Sequence, residues 1–162
     1  MNAPTRRLIH TRSEFHEALR SAFAQAVEAE AREIVLCDPD FADWPLGEPG
    51  VVADLQRWVR ARSRMTLYAH TFDALAQRCG RWIAWRRQWS HAVDCRSDGE
   101  LEAADYPSLC LVPGVISIRL LDPVLSRGIA SYEAVDALAC REAVDAVSQR
   151  SVESFPVTTL GI

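Results

Sequence analysis

Lysine is absent from this chain: all 18 basic residues are Arg. That excludes Schiff-base chemistry, a lysine general base and the lysine of a phosphate-binding loop. Glycine is scarce, at seven residues, and none cluster, so no glycine-rich phosphate cradle can form. No C-x-x-C pair, G-x-S-x-G elbow or H-x-x-x-H pair occurs, so the common zinc, redox and serine-hydrolase patterns are missing. No apolar run reaches the roughly 18 residues that a membrane helix needs. The opening MNAPTRRLIHTRSEF lacks the apolar core of a secretory signal.

What remains is an ordinary globular composition. The chain has 162 residues, 49% of them apolar, enough for one domain with its own core. We place that domain at 1–155 and a tail at 156–162. The five cysteines, Cys37, Cys79, Cys95, Cys110 and Cys140, are odd in number and widely spaced. Three sit in apolar runs, so they read as core thiols of a cytoplasmic protein. Charge is uneven. Nine Arg face only Asp73 and Asp94 between Arg57 and Arg96, a local +7 in a chain of net charge −4. Such a basic middle is an anion-binding face or the solvated side of two helices.

Thr11 and Glu14 fit a capping box. Phe15, Leu19, Phe23 and Val27 follow at helical spacing. Glu33–Cys37 reads as a strand buried on both faces, Met65–Tyr68 and Ala92–Cys95 as its neighbours. Helices are expected from Pro49 and from Phe72 through Trp89, with a break at Gly80. Pro113-Gly114 sits between the apolar runs Ser108–Val112 and Val115–Leu120, as in a hairpin. A long helix is expected over Tyr132–Phe155. This alternation predicts an α/β fold: a mostly parallel sheet with helices on both faces, then a C-terminal strand pair and a long helix.

Two constellations could carry chemistry. Asp38, Asp40 and Asp43 follow a buried strand, where open α/β sheets bind ligands. Asp38 and Asp40 could hold Mg²⁺, and their D-x-D spacing resembles the start of haloacid-dehalogenase-type phosphatases. The same residues also suit an ordinary loop. His70, beside a strand end, joins them as a pocket candidate. The second constellation is Arg81, Trp82, Trp85, Arg86, Arg87 and Trp89. Interleaved Arg and Trp can contact a protein partner or stack bases. The helical spacing of the Trp residues equally suits a buried face. The negative net charge argues against nucleic acid as the partner.

The segment Tyr106-Pro107-Ser108-Leu109-Cys110-Leu111-Val112-Pro113-Gly114 resembles the signature strand of the phospholipase D superfamily, H-x-K-x₄-D followed by Gly. The order of elements over 11–155 is similar to one half of that fold, and to single-domain bacterial proteins of that type. On this resemblance the family's His, Lys and Asp fall on Tyr106, Ser108 and Pro113. It therefore implies a degenerate, non-catalytic site without a cofactor, with Tyr106 left in the old cleft. Active members pair two halves, so it also implies a homodimer. Expected function is binding or self-association, with a Mg²⁺-dependent phosphohydrolase on Asp38 and Asp40 as the alternative.

Overall fold

The computed structural model describes residues 4–156. Its elements run β1 (Arg6–Ile9), α1 (Arg12–Glu28), β2 (Glu33–Cys37), α2 (Pro49–Trp58), β3 (Arg64–Tyr68), α3 (Asp73–Arg78), α4 (Gly80–Gln88) and β4 (Val93–Ser97). Then follow β5 (Ser108–Val112), β6 (Ile116–Asp122), β7 (Arg127–Ser131), α5 (Ala134–Ser148) and β8 (Val152–Glu153). Local chemistry sets several boundaries. The Thr11 hydroxyl accepts from the Glu14 N–H at 3.1 Å and starts α1. Pro49 opens α2, where its missing N–H costs nothing. Gly114, at φ +78°, follows Pro113 in the β5–β6 turn, a conformation that favours glycine.

All eight strands form one sheet in the order β1-β7-β6-β5-β2-β3-β4-β8. Only β2–β3 and β3–β4 are parallel. The pairs β1–β7, β2–β5, β4–β8, β5–β6 and β6–β7 are antiparallel. The expected mostly parallel sheet is thereby corrected. The parallel part stops at β2, because β5 enters beside β2 in the opposite direction, with Leu36 opposite Cys110. The expected strand pair is a three-stranded meander, and β1 closes its far edge. The long helix is shorter than expected, and its last predicted turn is the edge strand β8.

Strand alternation divides the interior in two. Ile34, Leu36, Met65, Leu67, Cys95, Cys110, Ile118 and Leu120 pack with α1, α2, α3 and α4 in the larger core. Val35, Cys37, Leu109 and Leu111 point the other way and meet Cys140, Val144 and Val147 of α5. Gly128 of β7 is fixed by close approach, since a Cβ there would lie 2.0 Å from the Arg119 carbonyl oxygen. All five cysteines are free and buried, as their apolar settings predicted. Burial pushes the Cys95 thiol up to about 12 and raises Cys37 and Cys110 as well. These thiols are protonated at neutral pH and are therefore weak nucleophiles.

Candidate functional site

The acidic loop sits at the C-terminal edge of β2. Asp38 is 8% exposed and acts as the loop's anchor. One carboxylate oxygen accepts from the Ser108 hydroxyl at 2.6 Å. The other accepts from the N–H groups of Phe41 at 2.8 Å and Asp40 at 3.1 Å. Burial raises the Asp38 carboxyl above its ordinary range, while the Ser108 hydroxyl and the two backbone N–H groups pull it back. The buried Trp44 indole N–H also favours the ionised form, although it reaches no partner at hydrogen-bond distance among the described residues. Asp40 turns inward on the loop and accepts from the Ala42 N–H at 2.9 Å.

Asp38, Asp40 and Asp43 do share a cleft of about 210 Å³ with Arg12, Trp44 and Ser108. Arg12 and Asp43 form an ion pair at 3.2 Å. Among the described residues no group of three His, Cys, Asp or Glu side chains is arranged to hold one metal ion. His70 and Tyr106, the other two pocket candidates, are not in that cleft's lining. They meet each other, edge to face, with centroids 6.0 Å apart. Tyr106 is buried, and its hydroxyl bonds both backbone groups of Asp98, accepting at 2.8 Å and donating at 3.1 Å. Pro113 lies at the exposed β5–β6 turn, at the other end of β5 from Ser108.

Helix α4 turns most of the Arg/Trp segment inward. Trp82, Trp85 and Arg86 are buried. Trp89 is half-buried, and its indole N–H donates to Gln56 at 3.2 Å. Only Arg81 and Arg87 of the expected surface set are exposed. The Arg86 guanidinium lies 4.8 Å over the Phe155 ring, with its Nε buried and unpaired among the described residues. Phe155 in turn stacks on Phe72 at 5.5 Å. Segment 151–156 is thus tied to the sheet edge by packing under α4.

A group of exposed arginines lies at the opposite end of the parallel strands. Arg32, Arg57, Arg60 and Arg62 line one hollow of about 260 Å³ with Glu30, Trp58 and Ser63. Arg64 adjoins it, since its backbone N–H donates to the Arg32 carbonyl at 2.8 Å. All five arginines are exposed. Elsewhere Arg6, Arg20, Arg141 and Arg150 sit on carboxylates, and Arg7, Arg81, Arg87 and Arg127 are exposed with no carboxylate partner among the described residues. At this end only Arg57 sits on one, Asp54, among the described residues. Arg60 donates to the carbonyls of Arg57 and Val59 at 2.7 and 2.9 Å, answering the negative end of α2. Among the described residues the Arg32 and Arg62 side chains have no such employment. The sequence shows the Arg57-x-x-Arg60-x-Arg62-x-Arg64 run, but only strand register adds Arg32 to it.

The chain matches no protein-family model and no curated protein. Among solved structures it is similar to TrmBL2, an archaeal chromatin protein whose structure shows a novel mode of DNA binding. The match has a TM-score of 0.62 at 10% sequence identity and covers 95% of this chain. It covers 55% of that chain, so the present chain spans about half the length of its relative. At this identity the superposition shows a shared fold alone. The expected resemblance to the phospholipase D superfamily is corrected by this likeness and by the sheet's antiparallel majority. The degenerate-site and homodimer expectations drawn from that resemblance lose their basis. The expectation against nucleic acid, drawn from net charge, is corrected to this extent: the fold occurs in a chromatin protein described as binding DNA.

Proposed function

We propose that this chain is a binding domain that holds nucleic acid by its phosphate backbone on the arginine-rich end. The observation that carries this reading is the hollow lined by Arg32, Arg57, Arg60 and Arg62, in which Arg32 and Arg62 lack a carboxylate partner among the described residues. Guanidinium groups recognise phosphate oxygens through paired N–H donors. The fold likeness to a DNA-binding chromatin protein points the same way.

The net charge of −4 does not decide against it. At physiological salt the Debye length is about 8 Å, so a ligand at this end feels the local arginines more than the acidic loop at the far end of β2. Recognition here is of backbone, with little base readout. Trp58 is 3% exposed and its indole N–H is already given to the Ala31 carbonyl, which leaves it no open face for stacking. The phosphohydrolase alternative has weaker support, because both Asp38 carboxylate oxygens are occupied by donors of the chain itself.

Fluorescence anisotropy with a labelled random-sequence duplex tests the proposal. Wild type binds at low salt, and Arg32→Ala with Arg62→Ala weakens it about tenfold or more. Arg127→Ala, at the exposed first residue of β7, serves as the control and leaves affinity unchanged. Equal loss in the control, or no binding by wild type, contradicts the reading.

A further inference from the structure

The turn between α4 and β4 sets two aromatic rings beside the arginine-rich end. We infer that this end takes single-stranded nucleic acid in preference to duplex, with a base stacked on the Trp89–His91 pair while the arginines hold its phosphates. This rests on the reading that the arginine-rich end binds phosphate.

Trp89, Ser90, His91 and Ala92 form the turn, which closes as the Ala92 N–H donates to the Trp89 carbonyl at 2.8 Å. His91 is exposed and Trp89 half-buried. Their ring centroids lie 5.8 Å apart at an interplanar angle of 46°, so the two rings do not close on each other as a parallel stack. Two contacts hold the turn in place. The Trp89 indole N–H donates to the Gln56 side chain of α2 at 3.2 Å. The Arg64 guanidinium donates to the His91 carbonyl at 3.4 Å. Rings fixed in advance lose less freedom when a ligand meets them.

The second contact makes the rings continuous with the arginines. The Arg64 backbone N–H donates to the Arg32 carbonyl at 2.8 Å. Arg32, Arg64 and His91 therefore stand at or just before the starts of β2, β3 and β4, three neighbours in parallel register. Neighbouring strands lie ~4.8 Å apart, so the backbone at His91 is about 10 Å from that at Arg32. A stacked strand advances ~3.4 Å per nucleotide, so about three nucleotides span that distance. A duplex keeps its bases paired and stacked inside, and its side offers these rings only sugar and phosphate. An unpaired strand turns a base face out onto them. Stacking tolerates any base, so it adds affinity without sequence readout.

The test compares a labelled twelve-nucleotide thymidine strand, an abasic strand of the same length and a blunt duplex, by anisotropy at low salt. The abasic strand has the same phosphates and no bases. The inference predicts that the thymidine strand binds about tenfold tighter than the abasic strand, and tighter than the duplex. It also predicts that the thymidine strand quenches tryptophan fluorescence. Trp44, Trp58, Trp82 and Trp85 are buried, so Trp89 is the tryptophan within reach of a base. His91→Ala, at an exposed position, loses most of the preference. Trp89→Phe keeps a ring and removes the reporter, so the preference stays and the quenching goes. Equal binding of thymidine and abasic strands, tighter binding of the duplex, or a preference that survives both His91→Ala and Trp89→Leu overturns the inference and leaves the phosphate reading intact. Failure of every ligand to bind overturns both.

Discussion

Ser108 donates its hydroxyl to the Asp38 carboxylate at 2.6 Å, across 70 residues of sequence. This contact joins the antiparallel half of the sheet, entered at β5, to the parallel half, which starts at β2. It converts the acidic loop from a row of free carboxylates into a fastened turn.

Ser108→Ala removes one donor from a buried carboxylate. It should cost about 1–3 kcal/mol of stability. Urea denaturation checks this, and an unchanged midpoint would show that Asp38 finds another donor.

Asp38 also sets a pH dependence. Its carboxyl is raised above the ordinary aspartate value of 3.8, first by burial. The folded state therefore binds the proton more tightly than the unfolded chain does. The resulting stabilisation is complete below the unfolded value and disappears as pH rises through the folded one. Compared with Asp38→Asn, which does not titrate, wild type should gain relative stability as pH falls from 7 toward 4. A difference that shrinks on acidification would contradict the assignment.

Arg86 is 5% exposed, and its buried Nε has no hydrogen-bond partner among the described residues. A buried donor left without an acceptor is costly. Arg86→Met keeps the volume and removes the charge, so its melting temperature should equal or exceed that of wild type. Phe155→Ala removes the ring stacked on Phe72 and should lose about 1–2 kcal/mol. Thermal denaturation reads both.

Gly128→Ala drives a methyl group into the Arg119 carbonyl. The β6–β7 pairing has to shift, at a cost of about 3 kcal/mol. Circular dichroism melts test it.

Local signals were readable and long-range ones were not. Thr11 with Glu14 marks the start of α1, Pro113-Gly114 marks a turn, and Gly80 marks the break between α3 and α4. Each depends on residues a few positions apart. The direction of β5 beside β2 depends on which edge the chain reaches, and an apolar run such as Ser108–Val112 suits either direction. β1 and β7 escaped notice because Arg6–Ile9 is only 4 residues long and Gly128 interrupts Arg127–Ser131. The spacing of Trp82 and Trp85 pointed to a common face, and that face is buried. Nothing in the spacing shows that Arg86 goes in with them, since its guanidinium lies over the distant Phe155 ring. At the acidic loop, the spacing of Asp38 and Asp40 was visible, but the Ser108 partner that occupies Asp38 was not. The basic end was visible as an excess of charge. Its concave form, and the membership of Arg32, required the β2–β3 register.

The central claim is that Arg32 and Arg62 hold phosphate at this end. Its most direct test is the salt dependence of duplex binding, wild type against Arg32→Ala with Arg62→Ala. Up to four arginine–phosphate contacts predict a slope of log K against log salt of about −3 to −4, reduced in magnitude by about 2 in the double variant. The same slope in both proteins would contradict the claim.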